Sequence, residues 1–382
     1  MPRPANDDFA PSADTVPPSE RRGRGATLNP SSRFAAVQRR RADRHWHYAN
    51  AATWPEGERP VSLQTPSLQT QVSEEVVRSA ISRNHSPDLD FEQSLNPYRG
   101  CEHGCAYCFA RPSHEFLDLS PGLDFETKLW AKPGLAAALA GELAKPGYRC
   151  RPLALGSNTD CYQPLEGERR LSRQVIELLA ECRHPLSIVT KSHLVTRDID
   201  LLAPLAAEGL VRVALSLTTL DRRLARSLEP RAATPARRLA AIASLAAAGI
   251  PTGVMVAPLI PALTDWELES LIEAAARSGA GFAGWSLLRL PGAVKELFCQ
   301  WLGAHQPARA VKVMHRLRAL RQGRAHETKF FLRHSGSGPE AELIAQRFAA
   351  ACRRHELATE PPELETGHFQ PPSAAGRQFS LF

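Results

Sequence analysis

The chain has 382 residues, 43% of them hydrophobic and 23% charged, which is enough for a sizeable core and too apolar for global disorder. Its formal net charge is +7, and lysine supplies only seven of the 47 basic residues, so the basic balance rests on arginine. The longest apolar stretch, residues 239–250, is too short to span a bilayer, and residues 1–20 hold no apolar run of a secretory signal; a cytoplasmic protein with no membrane contact is expected.

Residues 1–60 are rich in Pro, Ser, Arg and Asp, lack sustained periodicity and predict a disordered basic arm. Within it, residues 39–48 mix arginines with aromatic rings, a solvated charge run that can also bind phosphates and stack on bases. From about residue 85 to 300, short β-branched or apolar runs alternate with Ala/Leu-rich helical stretches. Strands are predicted at Leu153–Leu155, Leu186–Thr190, 211–217, 252–256 and Phe282–Leu287. Helices are predicted at Leu171–Glu181, 199–208, 236–248 and 264–278. The third carries Thr234 as N-cap, Pro235 at its first position and Gly249 past its end; the fourth has Thr264 and Glu267 at capping-box spacing.

Strand and helix in strict alternation imply βαβ units and a parallel sheet. The fold class is therefore α/β, a partial (β/α)6 TIM-type barrel over residues 61–304. A C-terminal helical extension at 305–356 and a flexible tail at 357–382 follow. No Gly-rich dinucleotide fingerprint follows any predicted strand, which argues against a Rossmann fold.

Eight cysteines in a reducing compartment are not a disulfide framework, so a tight cluster of them reads as a metal or catalytic site. Cys101, Cys105 and Cys108 form such a cluster, spaced C-x3-C-x2-C within NPYRGCEHGCAYCFAR at residues 96–111. Three thiolates on one loop can bind three corners of a cubane and leave the fourth iron open. A structural zinc site needs a fourth ligand, for which His103 lies in the same loop, and no second ligand pair follows at finger spacing.

The motif C-x3-C-x-aromatic-C, with Tyr107 as the aromatic, resembles the signature of radical S-adenosylmethionine (SAM) enzymes. The longer run is similar to the branch containing spore photoproduct lyases and proteins grouped as DNA repair photolyase-like, over about residues 85–300. The resemblance implies a [4Fe–4S] cluster on Cys101, Cys105 and Cys108, SAM on the open iron and a one-electron donor of flavodoxin or ferredoxin type. It also implies cleavage of SAM to a 5′-deoxyadenosyl radical that abstracts hydrogen from a substrate. Tyr107 is then expected beside the adenine, and Ser157, Asn158, Thr159 and Asp160 near the methionyl amino group. Lys191, with Ser192 beside it, is placed for the methionyl carboxylate; an Asx-type turn is the alternative role for 157–160. Ser216 and Thr218 share a strand face suited to ribose hydroxyls, Ala257 offers backbone groups to adenine, and Arg231 reaches either the SAM carboxylate or Glu229. Spore photoproduct lyases carry a hydrogen-donating cysteine where this chain has Ser157; Cys161 is the candidate substitute if its loop folds inward, and a buried bystander otherwise.

The terminal run Gln378, Phe379, Ser380, Leu381, Phe382 resembles the peptide with which bacterial repair and replication proteins dock on the sliding clamp. The clamp and DNA are therefore candidate partners. The expected function is a lyase-like radical SAM enzyme acting on a nucleic-acid lesion. Radical modification of RNA, a peptide or a small molecule is one alternative, and a non-catalytic metal-stabilised scaffold another.

Overall fold

The computed structural model describes residues 7–9, 12, 14–18, 21, 23–34 and 69–372. In chain order the strands are β1 (Gln71–Glu74), β2 (Ser82–Arg83), β3 (Gln93–Leu95), β4 (Tyr98–Arg99), β5 (Lys128–Ala131), β6 (Leu153–Leu155), β7 (Leu186–Thr190), β8 (Val211–Ser216), β9 (Thr252–Leu259) and β10 (Phe282–Leu287). The main helices are α1 (Leu135–Leu143), α2 (Leu171–Glu181), α3 (Ile199–Ala207), α4 (Arg222–Leu228), α5 (Pro235–Ala247), α6 (Leu268–Arg277), α7 (Val294–His305), α8 (Pro307–Ala319) and α9 (Pro339–Arg354).

The apolar pattern explains how these elements pack. Along α2, Leu171, Val175, Ile176, Leu178 and Leu179 are buried and form one stripe at helical spacing. In β8 every residue but Arg212 is buried, as expected for a strand covered on both faces. One sheet runs in the order β10–β9–β8–β7–β6–β3–β2, parallel throughout except for the antiparallel β3–β2 pair at its edge. Six parallel strands with intervening helices make the partial TIM-type barrel anticipated from the alternation. All six point the same way, so the loops after them gather at one mouth. A second, three-stranded sheet, β1–β5–β4, stands beside it and carries the cysteine loop, which leaves β4.

Some boundaries differ from expectation. Part of the arm expected to be disordered is folded among the described residues: Val16, Ala26 and Leu28 pack with Leu123 and Leu297 in a small core of their own. Composition hides this because residues 23–34 are held mainly by backbone and polar bonds, not by an apolar period. The extension at 305–356 shares the barrel's core through Val313, Met314, Leu317, Ile344 and Phe348. The tail also makes contacts with the barrel as far as Gln370. Glu365 N donates to Gly209 O (3.0 Å), Gln370 N donates to Cys182 O (2.8 Å), and Phe369 packs against Tyr148 and His184 with ring centroids 5.4 and 5.3 Å away. These contacts lie on segments leading into β6, β7 and β8, so the tail straps the face opposite the mouth.

The capping box at Thr264 does not form. Thr264 Oγ1 accepts from Ile260 N (3.0 Å), and the Glu267 carboxylate reaches instead to Thr219 Oγ1 (2.7 Å) and Leu220 N (2.6 Å). A 3-10 turn, Asp265–Glu267, precedes α6 in its place. Among the described residues no helix is long and apolar enough to cross a membrane. Residues 39–48 and Gln378 to Phe382 lie outside the described residues.

Candidate functional site

The cysteine loop is tied to four separate parts of the chain. Cys101 N donates to Phe125 O (3.0 Å), Ala106 N to Leu228 O (3.0 Å), and Arg231 N to His103 O (3.2 Å). The Gln163 side chain clamps its start, accepting from Glu102 N (2.8 Å) and donating to Gly100 O (3.2 Å). Arg111, fully buried, donates to Cys105 O from Nε (3.0 Å) and Nη2 (2.8 Å) and pairs with the buried Glu126. Glu126 in turn accepts from Gly25 N (3.0 Å) and Ala26 N (2.8 Å), which seats the N-terminal segment on the loop. The approach is so close that a Cβ on Gly25 would lie 1.6 Å from Gly104 O.

Cys101 and Cys105 are buried and Cys108 half-buried. Burial pushes the Cys105 thiol up to about 12, with the Glu229 carboxylate acting in the same direction and Lys191 opposing it. Cys101 and Cys108 are raised as well, first by burial, and for Cys101 the Asp160 carboxylate and the Cys105 and Cys108 thiols act in the same direction. Soft, buried thiols that are protonated when alone are a donor set suited to cationic metal, which displaces their protons. Among the described residues no three His, Cys, Asp or Glu side chains converge as one mononuclear ion requires; a cubane, with one thiolate per iron, does not share that requirement. His103, the fourth zinc ligand considered above, is buried with Nδ1 3.3 Å from Asp160 Oδ2. The residues present thus fit an iron–sulfur cluster.

Lys191, at the C-terminal end of β7, points its ammonium at the cysteine loop: Nζ lies 5.8 Å from the Tyr107 ring centroid. No carboxylate of the described residues is within ion-pair distance of it. Tyr107 is buried, and its hydroxyl donates to Glu229, which is also paired with Arg238. Arg238 is held by Ser216 O (2.9 Å) and Ala233 O (2.8 Å). Thr218 Oγ1 donates to Glu229 Oε1 (2.9 Å) and lies 3.4 Å from Ala257 O. Burial drives Glu229 upward, but the Arg238 and Lys191 charges and the tyrosine bond outweigh it and hold the carboxyl at about 2.

The other residues singled out from sequence divide between the mouth and structural roles. Asn96, unremarked in the sequence, organises the loop after β6: its Oδ1 accepts from Asn158 N (2.9 Å) and Thr159 N (3.3 Å), and its Nδ2 donates to Ser157 Oγ (3.3 Å). Thr159 Oγ1 donates to Tyr98 O (2.9 Å). Asp160 accepts from Thr190 Oγ1 (2.6 Å), Lys191 N (2.8 Å) and Tyr162 N (2.9 Å) besides facing His103. Its carboxyl is pushed up by burial, yet His103 and these hydrogen bonds leave it well below the ordinary range. Ser192 Oγ accepts from Leu194 N (3.2 Å) and starts a 3-10 turn. Arg231 pairs with Glu102 (3.2 Å), not with Glu229. Cys161 is wholly buried, in the core cluster that includes Tyr162, with its sulfur beside the Gly156 turn after β6. Glu126 and Gln163 escaped sequence reasoning because each is defined by partners far along the chain.

The geometry defines a class: a parallel partial barrel whose mouth presents three thiols on one loop. The profile of the radical SAM superfamily matches residues 95–275. The chain is 37% identical over 313 residues to the uncharacterized protein Rv2578c of Mycobacterium tuberculosis, covering 80% of this chain and 88% of that one. It is 28% identical over 173 residues to the uncharacterized protein MJ0683 of Methanocaldococcus jannaschii, covering 45% and 62%. This chain belongs to the radical SAM superfamily. In fold it is similar to spore photoproduct lyase: a point mutant superposes with a TM-score of 0.55 at 17% identity, over 75% of this chain and 81% of that one. A double mutant with bound AdoMet and dinucleoside spore photoproduct gives 0.50 at the same identity and coverage.

Proposed function

We propose that this protein is a radical SAM enzyme that acts on a nucleic-acid substrate at the barrel mouth. The observation that carries the catalytic part is the placement of three buried or half-buried cysteines on one loop beside a lysine cation that has no carboxylate within ion-pair distance among the described residues. Cys101, Cys105 and Cys108 would hold a [4Fe–4S] cluster, which with bound SAM and one external electron supplies a 5′-deoxyadenosyl radical for hydrogen abstraction.

The chain's own residues bind and orient. Lys191 offers three donors to the methionyl carboxylate. Tyr107, fixed at its hydroxyl by Glu229, presents a rigid wall between Lys191 and the core. Ser216 and Thr218 line the same side, and Ala257 offers its backbone. Arg111 and Glu126 hold the loop from behind, where water is excluded. The nucleic-acid part is supported by the arginine-based net charge of +7 and by the fold shared with an enzyme solved with a dinucleoside photoproduct. The terminal peptide at 378–382 supports a clamp partner on sequence alone.

Anaerobic reconstitution followed by an assay for 5′-deoxyadenosine with SAM and a reductant tests the chemistry. Wild type is expected to bind iron and form the product; Cys105→Ala is expected to lose both. Iron retained in Cys105→Ala would refute the ligand assignment. Duplex and single-strand binding across a salt series tests the substrate class, and binding without salt dependence, or none, refutes it. Clamp pull-down with and without residues 378–382 tests the partner.

A further inference from the structure

The two edges of the barrel sheet, β10 and the β2–β3 pair, are joined across the open side by residues 326–336. Arg333 forks onto Asp88 in the β2–β3 loop (2.7 and 2.6 Å), and His334 Nδ1 lies 3.0 Å from Ser286 Oγ on β10. Beside this bridge stand Arg289, just past β10, and Arg321, just past α8. Arg321 is 1% exposed and spends its terminal nitrogens on Ala325 O (2.9 Å) and Leu288 O.

The charge in this cluster is not balanced. Asp88 is taken by Arg333 and by Phe331 N (2.9 Å), and Glu327 by the N–H groups of Thr328 and Lys329 (both 2.9 Å), with Arg324 at 3.8 Å. No carboxylate of the described residues is within ion-pair distance of Arg289 or Arg321. Arg289 Nε, Arg321 Nε, His326 Nδ1 and His334 Nε2 are buried without a hydrogen-bond partner, although His334 Nε2 approaches Asp88 Oδ2 to 3.6 Å. Burial first, and the neighbouring arginines next, push both imidazoles down to about 4 and lower Arg321 to about 10. Desolvated guanidinium groups ordinarily have a counter-ion, and two arginine Nε–H donors left unsatisfied in one place are a rare feature that calls for one.

The rim is aromatic. Arg289 lies over the Phe109 ring (5.6 Å), and Phe109 directly follows Cys108. Phe109, Phe330 and Phe331 are 47%, 49% and 60% exposed. Phe331 has φ of 64°, a strained value for a bulky residue, and strain of this kind persists at ligand clamps. Guanidinium forks match phosphate, and exposed rings match bases.

We propose that Arg289, backed by the buried charge of Arg321 and with His326 and His334 beside it, forms a phosphate-binding subsite at the lateral opening of the barrel, and that the phosphate is that of a nucleotide whose base lies on the exposed phenylalanines. This rests on the nucleic-acid reading above and adds the residues that grip the backbone next to the cysteine loop.

The test titrates the reconstituted protein with inorganic phosphate and with the dinucleotide thymidylyl-thymidine, read by calorimetry. Wild type is expected to bind the dinucleotide saturably and at least about tenfold more tightly than phosphate. Arg289→Gln is expected to weaken both by about tenfold or more, Arg289→Lys by less, and Arg277→Gln, at an exposed arginine on α6, by under about twofold. Phe331→Ala is expected to weaken the dinucleotide alone. Absence of saturable binding by wild type, or equal binding by Arg289→Gln, overturns the subsite. Equal affinity for phosphate and dinucleotide overturns the nucleotide assignment. Cys105→Ala is expected to keep dinucleotide binding, so failure of the cluster reading shows in iron content, and failure of the subsite leaves iron and 5′-deoxyadenosine formation intact.

Discussion

Replacing Glu229 by glutamine removes one charge from a buried pair and leaves the other stranded. Glu229 and Arg238 side chains are each 1% exposed, and the guanidinium's remaining bonds go to the carbonyls of Ser216 and Ala233. Losing one partner of such a pair costs about 3–5 kcal/mol, because the other charge stays desolvated. The carboxyl's proton affinity leads to a similar figure. Glu229 falls from an ordinary carboxyl value to about 2, and each tenfold loss of proton affinity on folding is worth about 1.4 kcal/mol, hence about 3 kcal/mol. Because the folded-state value is depressed, this stabilisation is complete above about pH 4.3 and disappears as pH falls through about 2. Urea unfolding under anaerobic conditions at matched iron content measures the loss. Glu229→Gln/Arg238→Met, which removes both charges, is expected to be clearly more stable than the sum of the single variants allows. A loss under about 1 kcal/mol in Glu229→Gln, or strictly additive losses in the cycle, would show that the pair does not support the loop through Tyr107.

Lys191→Met is expected to weaken SAM binding by about ten- to hundredfold, as loss of a charged hydrogen bond does, with iron content unchanged; equilibrium dialysis reads it, and unchanged affinity places the carboxylate elsewhere. Gly25→Ala drives a Cβ into Gly104 O and is expected to cost about 1–3 kcal/mol, seen as lost hydrogen-exchange protection at the Ala26 amide; unaltered protection would refute the docking of this segment on the loop. Asp160→Asn removes the carboxylate that faces His103 Nδ1 and puts an amide donor among N–H groups, for an expected cost of about 1–3 kcal/mol. Its depressed carboxyl stabilises fully above the ordinary range near pH 4 and progressively less below it, so the variant's stability is expected to be flatter on the acid side; an identical acid limb would count against that clamp.

The features that could be read along the chain are local ones. The spacing of Cys101, Cys105 and Cys108, the alternation of apolar runs with helical periods, and a rare lysine at the end of a strand each lie within a dozen or so residues. Chain connectivity alone keeps those groups near one another, whatever the rest of the molecule does. The Thr264–Glu267 pattern shows where local logic fails: Glu267 finds better donors in Thr219 and Leu220, delivered by a neighbouring strand.

Long-range pairing carries no local signature. Glu126 in a short turn and Asn96 before β4 resemble any surface polar residue until folding supplies partners many tens of residues away. The N-terminal segment reads as disordered since its order comes from backbone N–H groups meeting a buried carboxylate about a hundred positions later. Arg289 and Arg321 likewise become a charged cluster only where the two sheet edges are bridged. Thiol spacing and strand periodicity are thus written in neighbouring residues, whereas the charge balance around the mouth depends on which distant groups burial brings together and which it leaves uncompensated.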